Sequence, residues 1–207
     1  MDWYANALVK AVNAEVDFDD GMTVTLHTSG YALSRTVDDY VNDLTNELPS
    51  AGGYTVGGIA AGVVARTLTV ANSWGVSRAA TTAYVLGDVV RPASANGFLY
   101  RATNSGTTGA GLPTFPTILG QTVADGGVTW ECYGIAIIVL TSANPITWAA
   151  ATFTGVRYAV LSDRTTGVTS TEPLVLVHDY VTDQAGGGGV FTLNPHPSLG
   201  LAHLIIT

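Results

Sequence analysis

Two sets of side chains in this 207-residue chain have the types and spacing to do chemistry. The first is the carboxylates. Hydrolysis of a glycosidic bond needs two carboxyl groups about 5–9.5 Å apart. Between Trp74 and Gly134 the acids are Asp88, Asp125 and Glu131. Asp88 follows Gly87 and Asp125 precedes Gly126, both of which read as turn positions. No G-x-S-x-G nucleophile elbow occurs. Glu47 stands beside Asn46 without an acidic partner at a useful spacing. His178 and Asp179 are adjacent, and a strand would send them to opposite faces. His196 sits in Asn-Pro-His-Pro, which reads as a rigid turn. The expectation is a chain without catalysis and without a cofactor.

The second set is aromatic. Trp74, Tyr84, Phe98, Tyr100, Phe115, Trp130 and Tyr133 fall in one stretch of about 60 residues rich in Gly, Thr and Pro. A flat ring covers the apolar face of a sugar, while nearby polar groups bond its hydroxyls. Tyr100, Phe115, Trp74 and Trp130 are the candidate stacking rings. Asp88, Asn96, Arg101 and Asn104 are the candidate hydrogen-bonding groups. The same rings are also what so small a module would use as its core, since it buries few side chains. Trp74, Tyr84 and Trp130 are expected there. Phe115, between Pro113 and Pro116 in a polar loop, is the ring most expected at the surface, with Tyr100 intermediate.

The elements that must carry these residues follow from composition and period. Apolar residues make up 47% and charged residues only 12%, against about a quarter in ordinary domains. Thr, Ser, Asn and Gly stand in for charge, which suits β-structure and a surface that packs against another. The net charge of −8 disfavours nucleic acid and anionic membrane as partners. The longest apolar run, Ile135–Leu140, is far short of the roughly 20 residues of a membrane span. Asp2 stands where a signal peptide would carry positive charge. The expectation is a soluble protein made in a cytoplasm. Cys132 is the single cysteine, so neither a disulfide within the chain nor a cysteine zinc site is available. The acid-rich turn Asp17–Gly21 lacks the regular ligand spacing of a calcium loop.

Residues Trp3–Val16 carry the i, i+3, i+4 rhythm of an amphipathic helix. Met22–Tyr31 alternates as a strand, with Met22, Val24, Leu26 and Thr28 on one face. Thr23, Thr25 and a surface His27 are expected on the other. Thr36 or Asp38 is expected to cap a short helix bearing Val37, Tyr40, Val41 and Leu44. Further strands are expected over Ala60–Ala71, Ile135–Leu140, Ile146–Trp148, Phe153–Ser162 and Leu174–Tyr180. Gly186–Gly189 reads as a flexible hairpin tip before Val190–Leu193, and Leu201–Thr207 as a closing strand. Short strands at this spacing predict a mainly β chain: a β-sandwich or barrel body with an N-terminal helix.

Residues 73–134 have their own grammar. Ala83–Val90 and Phe98–Ala102 read as strands joined through an Asn96-Gly97 turn. Thr122–Tyr133 reads as a hairpin about Asp125-Gly126-Gly127. Removing this stretch would leave Ala60–Ala71 and Ile135–Leu140 as a hairpin, and a hairpin tip is where an insertion costs least. The expected organisation is a discontinuous body, 1–72 plus 135–207, carrying a small inserted β module, 73–134. Trp74 pairing with Trp130 would hold the module's ends together.

The pattern Trp74, Ala83-Tyr84-x-x-Gly87-Asp88-x-Val90, Asn96-Gly97-x-x-Tyr100-Arg101-Ala102, Pro113-x-Phe115-Pro116 and Asp125-Gly126-x-x-x-Trp130 resembles the small chitin- and carbohydrate-binding modules of phage tail and capsid proteins. The long loop before Pro113 departs from the shortest of them. Thr28-Ser-Gly-Tyr31, Asp43-x-Thr45-Asn46-Glu47, Gly53-Tyr54-x-x-Gly57-Gly58, Trp148-x-x-x-Thr152-Phe153 and Arg157-Tyr158-Ala159-Val160 followed by Asp163 look like a family of small phage structural proteins. The resemblance implies a virion-surface component, either a capsid decoration protein or head fibre, or a tail-associated protein. Its implied partners are other virion proteins, the major capsid or tail protein among them, and a host cell-surface polysaccharide. It also implies a homo-oligomer, for which a trimer would suit a capsid three-fold.

Overall fold

The computed structural model describes residues 1–62, 64–142, 145–194, 199 and 201–206. His196 lies outside the described residues. The chain is mainly β, with a sandwich-like body and, among the described residues, one short α-helix, α1 (Ala7–Val12). The first strands are β1 (Asp2–Trp3), β2 (Met22–Thr28), β3 (Ile59–Ala60) and β4 (Val64–Val70). Next come β5 (Ala83–Tyr84), β6 (Val89–Val90), β7 (Leu99–Ala102), β8 (Gly106–Thr107), β9 (Thr122–Asp125) and β10 (Val128–Gly134). The last are β11 (Ala136–Ser142), β12 (Thr147–Trp148), β13 (Thr154–Asp163), β14 (Leu174–Ala185), β15 (Phe191–Thr192) and β16 (Ala202–Ile206). Two compact units form. One is Met1–Ala65 with Leu140–Ala202, and the other is Arg66–Val139 with the C-terminal strand. The divisions fall inside β4 and β11, a few residues outside the expected borders at 73 and 134.

The first unit is built on a five-stranded antiparallel sheet in the order β1-β14-β13-β2-β3. On β13, Val160 pairs with Val177 of β14 and with Thr25 of β2. Alternation then splits the strand's side chains between two cores. Ala159 and Leu161 join Met22, Val24, Leu26, Trp148, Phe153 and Leu176. Val160 joins Tyr4, Ala7, Tyr31, Val41, Leu174 and Val177. Both faces of the sheet are therefore covered.

That double cover overturns the surface assignment of His27, which is 1% exposed, with Thr25 also buried. A carbonyl can only accept, so His27 Nδ1 carries the proton and donates to Thr45 O at 2.8 Å. His27 Nε2 is left to accept from Thr25 Oγ1 at 2.9 Å. The imidazole pKa is lowered, chiefly by burial, against the backbone bond to Thr45.

Other local expectations yield to tertiary pairing. Trp3 is captured by β14, opposite Leu176, so the expected helix from Trp3 shrinks to Ala7–Val12. Ala14, with φ +58°, follows its end. No helix follows Thr36. Asp38 is buried instead, accepting from Tyr31 Oη at 2.6 Å and Ser34 N at 2.8 Å, and only a 3-10 turn forms over Val41–Asp43. The expected strand Ala60–Ala71 is two strands, β3 and β4. Gly186 and Gly188 donate to Phe153 O and Ala151 O. Residues beyond that glycine run pair with β12 rather than turning back on β14.

Three aromatic motif residues of this unit, Tyr54, Trp148 and Phe153, share one cluster. Tyr54 meets Trp148 and Phe153 at ring-centroid distances of 6.4 and 6.3 Å, and Phe191 meets both Trp148 and Phe153. Gly58 shows why its position is glycine. It has φ +80°, and a Cβ there would lie 2.1 Å from Val24 O.

The second unit holds the sheet β6-β7-β10-β9, the ladder β5-β8, and the greater part of a three-stranded sheet ordered β16-β11-β4. The β9–β10 hairpin turns at Gly126-Gly127, with Val128 opposite Asp125. Its core gathers Val90, Tyr100, Ala102, Val128, Trp130 and Cys132.

Candidate binding cleft

The polar centre of the second unit is an ion pair between residues 47 apart in sequence. Arg78 Nε donates to Asp125 Oδ2 at 2.8 Å, and Arg78 Nη2 to Asp125 Oδ1 at 2.6 Å. Both side chains are buried. Trp130 Nε1 donates to the same carboxylate at 2.9 Å, and Gly109 N at 3.0 Å. Arg78 also donates to Gly109 O and Gly111 O. Burial raises the Asp125 pKa, but the Arg78, Trp130 and Gly109 bonds outweigh it and hold the carboxyl below its ordinary value. Asp125 was expected only at a turn. It also fastens segment 109–111, which leads directly into Leu112, Pro113 and Phe115.

Tyr100 is the second fastening. Its ring is 0% exposed, and its hydroxyl accepts from Asn96 Nδ2 at 2.7 Å and donates to Pro116 O at 2.6 Å. It therefore ties loop 92–97 to loop 112–116. Arg91 braces the first loop, donating through Nη1 to Pro92 O and Ala93 O and through Nε to Trp74 O. Gly97 N donates to Asn72 Oδ1 at 2.7 Å. Between the two loops lies an open cleft of about 200 Å³, lined by Pro92, Ala93, Ser94, Asn96, Leu112, Pro113 and Phe115. Phe115 is half-buried, tilted at 48° against Tyr100 with centroids 4.4 Å apart. Leu112 is largely exposed at the rim.

Of the four expected stacking rings, only Phe115 keeps an accessible surface at this cleft. Trp74 is 7% exposed, with Nε1 donating to Val89 O at 3.2 Å. Trp130 is 0% exposed, and its ring meets Tyr84 edge-on at 5.0 Å rather than pairing with Trp74. Trp74 and Trp130 are thus core, as expected, and Tyr100, the intermediate case, is core as well, so none of the three is a stacking ring: a 60-residue module has few other large side chains from which to build a core.

The expected hydrogen-bonding residues divide in the same way. Asn96 reaches the cleft. Asp88 Oδ2 accepts from Val85 N at 2.8 Å and closes a turn. Arg101 pairs with Glu131 at 2.6 Å, and its guanidinium lies 3.9 Å over the Tyr133 ring. Asn104 clamps the hairpin, accepting from Thr129 N and donating to Gly127 O, both at 2.7 Å. Cys132 is buried opposite Tyr100 in register, and burial pushes its thiol pKa up. Ser94, Pro92 and Leu112 were not anticipated. Their signal was the pair of Pro-containing loops flanking the turn and Phe115.

A second cleft, of about 440 Å³, lies in the first unit between Thr28, Leu48, Pro49, Ala51, Gly52 and Thr152–Thr154. It presents no charged side chain. Among the described residues, no group of three or more His, Cys, Asp or Glu is placed to hold a metal ion. No described helix is long and apolar enough to cross a membrane. Searched against protein-family models, curated proteins and solved structures, the chain has no match.

Proposed function

We propose that this chain is a non-enzymatic binding and assembly protein. Its second unit holds one sugar ring weakly in the Phe115 cleft, and its first unit serves as the anchor. The observation that supports this is the cleft's composition. A half-exposed ring stands beside two prolines, an exposed leucine, the hydroxyl of Ser94 and the amide of Asn96. An apolar surface edged by a few polar groups is how proteins grip sugars. The cleft is below the 300–1,000 Å³ range of drug-sized pockets, so it suits a single ring at low affinity. Repeated copies on one particle would raise that affinity by avidity.

With the resemblance of its motifs, the reading extends to a phage virion structural protein. It would be a capsid decoration protein, as a homo-oligomer bound to the major capsid protein, presenting the module to a host cell-surface polysaccharide. A tail-associated protein, at the tail tip or fibre, is the other placement on the virion. A purely structural module is the second functional reading. It is favoured by one observation: Trp74, Tyr100, Trp130, Asp88, Arg101 and Asn104 all serve the module's own fold.

The experiment is a titration of the full chain with chitin oligosaccharides and soluble host polysaccharide, followed by NMR. Shifts centred on Phe115, Ser94 and Asn96 are expected. Phe115→Ala should abolish them with a melting temperature within a few degrees of wild type. Tyr100→Phe should keep the core ring yet weaken binding, because both loops lose their shared hydroxyl. No shift with any glycan, or shifts remote from this cleft, would sink the glycan reading and leave the structural one.

A further inference from the structure

Among the described residues, strand β4 ends the three-stranded sheet, with β11 on one side and no strand of the sheet on the other. Within Arg66–Val70 the two side-chain faces alternate, and both are open. Arg66, Leu68 and Val70 are exposed on one, while Thr67 is exposed and Thr69 half-buried on the other. Leu68 and Val70 are 59% and 55% exposed. A strand with an open edge and two open faces gains little burial within its own chain, and its free edge templates another strand. Proline and lysine, which commonly blunt a free edge, are absent from Arg66–Val70, and Arg66 is its single charge.

We infer that this edge is where two copies of the chain meet, β4 against β4, antiparallel about a two-fold through Leu68. Antiparallel pairing is self-complementary, so one surface serves both copies. Centred on Leu68, it sets Leu68 against Leu68, Thr67 against Thr69, and Arg66 against Val70. Threonines then bond across strands and no like charges oppose. Charge points the same way. The chain carries −8 overall, yet from Val64 to Trp74 there is no acid, so two acidic molecules approach where they repel least. The inference rests on the proposed homo-oligomer and not on the cleft's ligand, so this test and the glycan titration fail separately.

The test is sedimentation of the full chain at tens of micromolar, with circular dichroism to confirm folding. Wild type should sediment as two chains. Leu68→Glu, which sets two acids face to face, should sediment as one. Val70→Glu, which meets Arg66 of the second copy, should remain a dimer. Leu68→Cys should form a disulfide-linked dimer on a denaturing gel without reductant and run as a single chain with it. A monomeric or trimeric wild type would overturn the inference, as would equal dissociation by Leu68→Glu and Val70→Glu. If Leu68→Glu fails to fold, the Leu68→Cys dimer decides: no oxidised dimer refutes the pairing.

Discussion

The two units bury polar groups differently. The first unit threads neutral links, a buried carboxylate and two ion pairs with one partner near the surface, Lys10–Asp39 and Arg164–Glu172, through a large apolar core. Tyr4 Oη meets Tyr31 Oη at 3.2 Å, Tyr31 donates to Asp38, and His27 is held neutral between Thr25 and Thr45. The second unit buries a full ion pair, Arg78 with Asp125, at its centre. A large core holds much of its loops by packing, and its ion pairs keep one partner near the surface. A small module with long Gly-rich loops has little apolar area to hold segment 109–111. The five donors of one guanidinium let it grip a carboxylate and two loop carbonyls at once. The cleft that carries the proposed function is thus a by-product of how a small unit is kept rigid.

That contrast can be broken most strongly at the ion pair. Asp125→Ala leaves Arg78 buried without its partner and should cost the second unit about 3–5 kcal/mol. Hydrogen exchange should show amides of β9 and β10 losing protection while those of β13 and β14 keep theirs. Equal loss in both units would mean that the ion pair does not act locally. Gly58→Ala should do the converse. It drives a Cβ into Val24 O at a left-handed backbone position, and should cost the first unit about 2 kcal/mol or more, read as lost protection in β2.

A smaller effect is expected at Tyr31→Phe. It removes the hydroxyl that serves Asp38 and Tyr4, and should lower first-unit stability by about 1–3 kcal/mol in denaturant titration. An unchanged midpoint would mean that Asp38 is served by Ser34 alone.

Acid should separate the units by degree. His27 has a lowered folded pKa, so its contribution is complete above the unfolded value of about 6.5 and fades as pH falls through the folded value. His178 is also lowered, chiefly by burial, and acts in the same direction. Asp125 is lowered too, but its contribution is complete above about 3.9 and fades only below that. Between neutrality and pH about 4, exchange in β2 should rise before exchange in β9 and β10. The reverse order would contradict the neutral burial of His27.

Much of the strand framework was legible because alternating apolar and β-branched residues favour strands and Gly-rich pairs favour turns. Met22–Thr28, Thr154–Asp163 and the hairpin about Gly126-Gly127 follow from these signals, although burial along the first two does not alternate. The helix over Trp3–Val16 was overestimated because a local rhythm cannot show that β14 offers Trp3 an edge to pair with. His27 misled for a related reason. Alternation marks which residues share a face, not whether a second layer covers it.

The candidate site was legible in part. The region and one of its rings, Phe115, follow from prolines and an aromatic in a polar loop. The roles of the other rings do not, because aromatic residues in a small module read alike whether they form a core or a surface.

What the sequence determined by itself is therefore the β class, the turns, and a Gly- and Pro-rich stretch bearing aromatics apart from the body's alternation. Only the tertiary structure decided that Tyr100 ties two loops instead of facing a ligand. It alone joined Arg78 to Asp125 and left Phe115 at a cleft. The physical reason is range. Propensity and period act over a few residues, whereas a buried hydrogen bond or ion pair is set by whatever the fold brings within about 3 Å.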